Sequence, residues 1–130
     1  MISEYIFKTL KDNIPELTPA TITHVYPMTV PEGVVPSPSI TYNEITTIYR
    51  MGLRVSTYQL TCIADSYEKC LGLSLKAERL FADMRYSASG DPVGTNVLSN
   101  KSLDVDRESG LHIRAVDIII SSKVESEVVY

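Results

Sequence analysis

Residues 39–64 read SITYNEITTIYRMGLRVSTYQLTCIA, a long stretch rich in strand-favouring residues that indicates a β-sheet. Residues 39–50 and 53–64 are rich in Ile, Thr, Tyr and Val, and each run predicts a β-strand. Met51 and Gly52 mark the turn between the two runs. Because only a short turn joins the strands, we expect them to pair as an antiparallel hairpin.

The predicted hairpin contains one irregularity. Its apolar positions change parity between Tyr42 and Ile45, which predicts one extra residue in the first strand, a β-bulge. Arg50 and Arg54 flank the tip at the far end.

A long helix is predicted directly after the hairpin, over residues 66–86. Asp65 or Ser66 is suited to cap it. Its apolar residues recur at helical spacing, at Cys70, Leu73, Ala77, Leu80, Phe81 and Met84. A shorter amphipathic helix is predicted over residues 3–13, and it ends before Pro15 because proline disfavours helical geometry in the preceding residue.

Residues 15–38 carry six of the seven prolines, so we expect little regular structure there beyond a short strand around Thr23–Tyr26. Residues 27–38 are predicted to be a loop, and loops of this length are often functional or disordered. The loop carries the apolar side chains Val30, Val34 and Val35. They either contact a partner or fold back onto the surface of the protein itself.

The chain closes with predicted strands over residues 97–105 and 111–121, which make up the C-terminal strands 97–121. The last strand carries apolar residues on both faces, which implies burial on both faces. We expect a helix to cover one face and a neighbouring subunit to cover the other. Residues 1–121 then form a single domain, and residues 122–130 a C-terminal arm.

Composition limits the class of function. A chain of 130 residues fits one domain. The net charge of −4 and the lack of a basic run disfavour tight nucleic-acid binding, whereas an acidic wall suits a channel that DNA passes without adhering. Cys62 and Cys70 lie in apolar patterns, which favours buried free thiols in a reducing cytoplasm. The N-terminus does not read as a signal peptide, and no apolar run approaches the roughly 20 residues that cross a bilayer, so no membrane association is expected.

The sequence shows no catalytic motif and no cluster of metal ligands. His24 and His112 are far apart, and neither has a second ligand at helical spacing. The two cysteines lie in core patterns and are poor candidates for a nucleophile. No phosphate-binding glycine loop or nucleophile elbow occurs. We therefore expect no catalytic, metal-binding or cofactor-binding residues and no cofactor, and a building part or binding module rather than an enzyme.

Several segments together are similar to a known family. Val25-Tyr26-Pro27 precedes the loop, and Ser39-Ile40-Thr41-Tyr42 follows it. Residues 55–68, VSTYQLTCIADSYE, end a strand in an Ala-Asp-Ser-Tyr step that opens a helix, and Arg114-Ala115-Val116-Asp117-Ile118 follows an acidic turn. Over most of residues 1–121 the chain resembles the tail completion proteins of tailed phages, also called tail terminators or tail-to-head joining proteins. The resemblance implies an α+β fold, an antiparallel β-sheet of about four strands with one long and one short helix packed on one face.

The resemblance also implies a function. Members of the family are structural virion proteins that cap the tail tube as a homo-oligomeric ring, expected here to be a hexamer. The ring stops tube growth and offers a joining surface to the head connector or head completion protein. The implied partners are the tail tube protein and that head protein, with DNA only as passing cargo. The implied location is the virion tail, after assembly in the cytoplasm of the bacterial host.

On this hypothesis the contact surfaces are the loop, the hairpin tip and the terminal arm. The residues proposed for them are Val30, Val34, Val35, Arg50, Arg54, Val128 and Tyr130. Two other classes of function stay open. One is a small-ligand-binding or regulatory domain with an apolar pocket between the main helix and the sheet. The other is a hydrolase that uses Asp or Glu with His24 or His112.

Overall fold

Two α-helices and one β-sheet make up the part of the chain that the computed structural model describes, which is residues 2–18, 24–28, 38–82, 84–85, 94–100 and 104–123. The helical elements are α1 (Ile2–Asn13), a 3-10 turn (Pro15–Leu17) and α2 (Tyr67–Phe81). The strands are β1 (Val25–Pro27), β2 (Ser39–Arg50), β3 (Leu53–Ala64), β4 (Met84–Arg85), β5 (Gly94–Asn100), β6 (Asp104–Val105) and β7 (His112–Lys123).

The sheet is larger than predicted. Its seven strands run in the order β1-β2-β3-β7-β5-β4, with β6 also paired to β7. β1 is parallel to β2, and the other pairs are antiparallel. The predicted α+β class is confirmed, but the count of about four strands was wrong. β4 and β6 are only two residues long, too short for an alternating pattern to reveal them, whereas β1 overlaps the short strand expected around Thr23–Tyr26.

The long hairpin and the last strand form the centre of the sheet. β2 and β3 have the bounds expected from the sequence, and β3 pairs with β7 along its full length, from Leu53 opposite Lys123 to Ala64 opposite His112. β7 therefore extends beyond residue 121, into the segment predicted to be an arm. The strand expected at 97–105 is divided into β5, which begins earlier at Gly94, and β6. That residues 1–121 form one domain stays a prediction.

α2 is shorter than the predicted helix 66–86. The Ser66 hydroxyl caps its first turn by accepting a 3.3 Å hydrogen bond from the backbone N–H of Lys69. At the other end Ala82 has an extended backbone, and the Thr95 hydroxyl donates a 3.0 Å hydrogen bond to the Phe81 carbonyl. Pairing with β5 thus ends the helix, and Met84 belongs to β4 although its spacing fits the helix.

One core holds the helices to the sheet. Buried side chains of α1, the 3-10 turn and α2 belong to a single cluster with alternate residues of β2, β3 and β7. We call the side of the sheet that faces this cluster the helix face and the opposite side the open face. In β7 the residues Val116, Ile118 and Ile120 on the helix face are fully buried. Ile113 and Ile119 on the open face stay partly exposed, so the described residues bury only one of the two faces for which burial was predicted.

No described helix is long and apolar enough to cross a membrane.

Candidate subunit interface

The tip of the hairpin is a tight turn with an unusual residue in it. Met51 and Gly52 have φ angles of 52° and 79°, so both central residues lie in the left-handed region, as in a type I′ turn. Asn-Gly is the preferred pair for this turn, because asparagine tolerates positive φ better than other residues that carry a Cβ, methionine among them. The Met51 side chain is nevertheless 96% exposed and gains no packing within the chain. A strained, exposed methionine at the end of a hairpin is a candidate contact residue.

The outer half of β2 exposes further apolar side chains. The register shifts between Glu44 and Thr46, so Ile45 is the extra residue of a bulge, as predicted. Ile45 is 47% exposed, Ile48 is 50% exposed and Tyr49 is 67% exposed. β1 pairs only with Ile40–Tyr42, so from residue 43 onward β2 has no neighbour on its outer side among the described residues. We call Tyr49, Met51 and Ile45 together the hairpin end.

A polar network holds the hairpin end in place on the helix face. The Glu44 carboxylate accepts hydrogen bonds from the Tyr58 hydroxyl at 3.0 Å and the Thr47 hydroxyl at 2.6 Å, and Thr47 contacts the Ser56 hydroxyl at 3.1 Å. Burial of the phenol, and then its bond to the Glu44 carboxylate, raises the pKa of Tyr58 to about 12. These hydrogen bonds link four side chains across β2 and β3, so they stabilise the outer half of the hairpin.

The two arginines predicted at the tip lie on opposite faces of the hairpin. Arg54 pairs with Tyr49 on the helix face, and its Nη2 lies 3.7 Å from a carboxylate oxygen of Glu44 in the same hairpin. Arg50 pairs with Leu53 on the open face and is exposed. The assignment of both arginines to a contact surface stays a prediction, and Arg54 already has an acidic partner within the chain.

The other predicted contact residues, Val30, Val34, Val35, Val128 and Tyr130, lie outside the described residues.

The centre of the open face carries little charge. Asp117 is the charged side chain that the described residues place there, and the Gln59 amide donates a 3.3 Å hydrogen bond to that carboxylate. The other charged residues that register places on this face lie at its ends, with Arg50 and Lys123 at the tip end and Asp104 at the opposite end. Most of the other side chains are partly or fully exposed and are β-branched or uncharged polar, whereas Ser39 and Thr41 at the end beside β1 are buried. Register places on this face Asn43, Thr46, Ile48, Val55, Thr57, Gln59, Thr61, Ile63, Ile113, Ala115, Asp117, Ile119 and Ser121.

A cleft of about 540 Å³ lies beside α2. Its lining combines the 3-10 turn, the start of β2 and one side of α2, namely Glu16, Pro38, Glu68, Lys69, Gly72, Leu73 and Lys76. Lys76 Nζ and Glu16 Oε1 form an ion pair of 2.5 Å across this lining. The charged groups of the cleft therefore neutralise each other in part and do not converge on a common point.

The cysteines and histidines considered for chemistry lie on different elements of the fold. The Cys70 thiol donates to the Cys62 carbonyl at 3.4 Å, both cysteines are buried and free, and burial raises the pKa of each thiol. His24 Nδ1 bonds the Tyr26 hydroxyl at 3.1 Å, whereas His112 belongs to β7. Within the described residues no group of three or more His, Cys, Asp or Glu side chains is placed to hold a metal ion.

A second polar contact lies between α2 and β7. The Arg114 guanidinium donates a 2.9 Å hydrogen bond to the Ser74 hydroxyl and lies 3.9 Å from the Glu78 carboxylate. Both charged side chains are largely buried, at 14% and 18% exposure. The contact joins helix to sheet and has a structural role.

Comparison with known proteins gives a likeness of fold. No protein-family model matches the chain, and no curated protein matches it. Among solved structures, a chain from the "Virion of native gene transfer agent (GTA) particle" superposes with a TM-score of 0.67. The match covers 92% of this chain and 92% of that chain at 12% sequence identity. This chain is therefore similar in fold, over nearly its full length, to a component of a virion particle.

Proposed function

We propose that the protein is a structural virion protein that caps a tail tube as an oligomeric ring and provides the joining surface to the head connector. The observation that carries this proposal is the likeness of fold, over 92% of both chains, to a component of a gene transfer agent virion. The resemblance of the sequence to tail completion proteins of tailed phages points to the same role. The ring is expected to have six members and to lie in the tail of the virion.

Two features of the molecule support a role in assembly. The hairpin end presents large apolar side chains to solvent, up to 96% exposed at Met51. The open face combines apolar and neutral polar side chains and has a single carboxylate at its centre. Depletion of charged residues is typical of the core of protein–protein interfaces. A surface with these two features suits contact with other virion proteins.

The proposal assigns no catalytic chemistry and no cofactor to the chain. The net charge of −4 suits a ring through which DNA passes as cargo, because a like-charged wall does not retain the phosphate backbone. The proposed partners are other copies of the chain, the tail tube protein and the head connector or head completion protein. Assembly is proposed to take place in the cytoplasm of the bacterial host.

A small-ligand-binding domain is the second candidate, and the cleft beside α2 favours it. Its volume of about 540 Å³ lies within the range of small-molecule sites. Its lining includes the Lys76–Glu16 ion pair, which a ligand with a charged group would have to open. On this hypothesis the purified protein should show a ligand-dependent rise in melting temperature. Gly72→Trp should remove that rise, because Gly72 lines the cleft and a side chain added there meets open space.

The experiment that tests the proposed function removes the gene from the host that produces the particles. Without a terminator the tail tube has no signal to stop, so tails should vary widely in length and lack heads when viewed by electron microscopy. Expression of the wild-type chain in the same strain should restore uniform tails joined to heads. Uniform, head-bearing tails in the deletion strain would contradict the proposed function.

A further inference from the structure

We propose that the open face of one copy receives the hairpin end of a second copy, so that the ring is built from repeats of one head-to-tail contact. This inference rests on the proposed function, because it specifies the contact by which the proposed ring forms. It assigns complementary roles to two surfaces of one chain. The receiving surface is centred on Thr57 and Ile119, and the inserting surface is Tyr49 and Met51.

The charge of the open face favours a second copy as its occupant. Two copies that each carry −4 repel, and they approach at lowest cost through surfaces with few charges. A surface for nucleic acid needs Lys and Arg side chains. The centre of the open face instead offers one carboxylate, Asp117, which Gln59 already binds, and Asp104 lies at the end of the face away from the hairpin tip. A strongly basic partner would likewise find little to pair with.

The size of the open face suits a stable contact. β3 and β7 pair over 12 residues, and β2 and β5 flank them. β2, β3 and β7 are each about 40 Å long and β5 is about 24 Å long, so with neighbouring strands about 4.8 Å apart the face measures roughly 700 Å². A specific protein–protein interface buries about 800 Å² on each partner. The face is therefore large enough to supply most of one side of an ordinary interface.

The hairpin end provides the complementary shape. Tyr49 and Met51 are 67% and 96% exposed, and both extend from the end of a braced hairpin. Aromatic and methionine side chains are enriched at interfaces, where they act as anchors that insert into a partner surface. Thr57 and Ile119 are cross-strand neighbours about midway between the hairpin end and Thr61 on the same face. A flat neutral surface and a protruding apolar one are both present on the chain.

The two surfaces are different parts of the molecule, so their contact is heterologous. Each copy inserts its own hairpin end into one neighbour and receives the hairpin end of the other. Such contacts generate closed rings when the rotation between copies closes. A contact of the open face with itself would instead give a two-fold dimer, which has no distinct head side and tail side.

The test uses two variants that each disable one surface. Thr57→Lys places a charge at the centre of the open face and leaves the hairpin end intact. The double variant Tyr49→Thr with Met51→Asn removes the two inserting side chains of the hairpin end and leaves the open face intact. Asn13→Lys is the matched control, because it adds the same charge at the exposed C-terminal end of α1, where a cation is favourable. Circular dichroism with a thermal melt checks that every variant is folded.

The readout is native mass spectrometry of each variant alone and of equal mixtures. We expect wild type and Asn13→Lys to form higher oligomers, and each surface variant alone to self-associate at least about tenfold more weakly. In a pair made of one copy of each surface variant, the Thr57→Lys copy supplies an intact hairpin end and the double variant supplies an intact open face. It should therefore form a 1:1 heterodimer and no larger species. The heterodimer also shows that Thr57→Lys still folds.

Three results would overturn the inference. The first is a mixture of the two surface variants that contains only monomers. The second is a surface variant that forms the same oligomers as wild type on its own. The third is a wild-type chain that stays monomeric at every concentration. The failure of the inference is separable from that of the proposed function. If wild type forms rings but the mixture gives no heterodimer, the inference fails and the tail-length experiment still decides the proposed function. If the deletion strain makes uniform tails, the proposed function fails and the heterodimer result still stands.

Discussion

Replacing Met51 by Asn should separate the stability of the monomer from its ability to assemble. A residue other than glycine in the left-handed region costs roughly 1–2 kcal/mol, and Asn tolerates that region much better than Met. Met51 has a φ of 52° and is 96% exposed, so the monomer loses no burial when the side chain is shortened. We expect the free energy of unfolding to rise by about 0.5–1 kcal/mol.

The same substitution should weaken assembly. Full burial of a methionine side chain contributes about 1.5–3 kcal/mol relative to an exposed one. If Met51 inserts into a neighbour, its loss lowers the association constant by roughly tenfold to 150-fold per contact. Stability should be measured by urea unfolding at a concentration where the protein is monomeric, and association by sedimentation velocity over a concentration series.

Met51→Ala is the matched control for this prediction. Alanine removes the long side chain but does not favour positive φ, so association should fall without a gain in stability. An unchanged association constant for both variants would refute the assignment of Met51 to an interface. Loss of stability in Met51→Asn would refute the reading of the turn as strained by its first central residue.

Three further outcomes follow from the described residues. Phe81→Ala removes a fully buried ring from the core and should lower the free energy of unfolding by about 3–5 kcal/mol, measured by urea unfolding. The pKa of Tyr58 is raised to about 12, so near pH 10 its phenol keeps its proton in the folded state while the unfolded chain begins to lose it. The contribution of this group to the free energy of unfolding is therefore complete below about pH 10 and is lost as the pH rises through about 12. A difference titration of phenolate absorbance between wild type and Tyr58→Phe measures this pKa, which Glu44→Gln should lower; an unchanged pKa in that variant would count against the role of the carboxylate. Cys62 and Cys70 are buried with raised thiol pKa values, so a thiol reagent at pH 8 should label neither in the native protein and both in denaturant, and rapid native labelling would contradict their burial.

The elements with long, regular patterns were predictable from the sequence. β2 and β3 have the expected bounds, and the change of apolar parity located the bulge at Ile45. These predictions succeeded because alternation over 12 residues per strand is a strong local signal. The N-cap at Ser66 was likewise one of two residues expected from local hydrogen bonding.

The elements that depend on distant partners were not predictable. The periodic positions of α2 continue to Met84, but pairing with β5 places that residue in a strand. β4 and β6 are too short to produce a pattern, and each exists as a strand only through its longer neighbour. The parallel pairing of β1 with β2 likewise follows from long-range contacts rather than from local sequence.

The candidate interface was only partly visible in the sequence. Arg50 and Arg54 were chosen because they flank the tip, but register places them on opposite faces, and Arg54 pairs with Glu44. Tyr49 and Met51 were not among the predicted contact residues, because strands favour tyrosine and Met51 was considered only as part of the turn; their high exposure is seen only in the structure. The open face can be identified only when the register of β2, β3 and β7 is known, because β7 alone carries only some of its neutral side chains.

The central claim is that copies of this chain assemble into a closed ring. Native mass spectrometry of the wild-type protein over a concentration series, with negative-stain images of the largest species, tests that claim most directly. We expect one dominant oligomer, a hexamer, that appears in the images as a closed ring. Monomers at every concentration, two-fold dimers or open-ended fibres would contradict it.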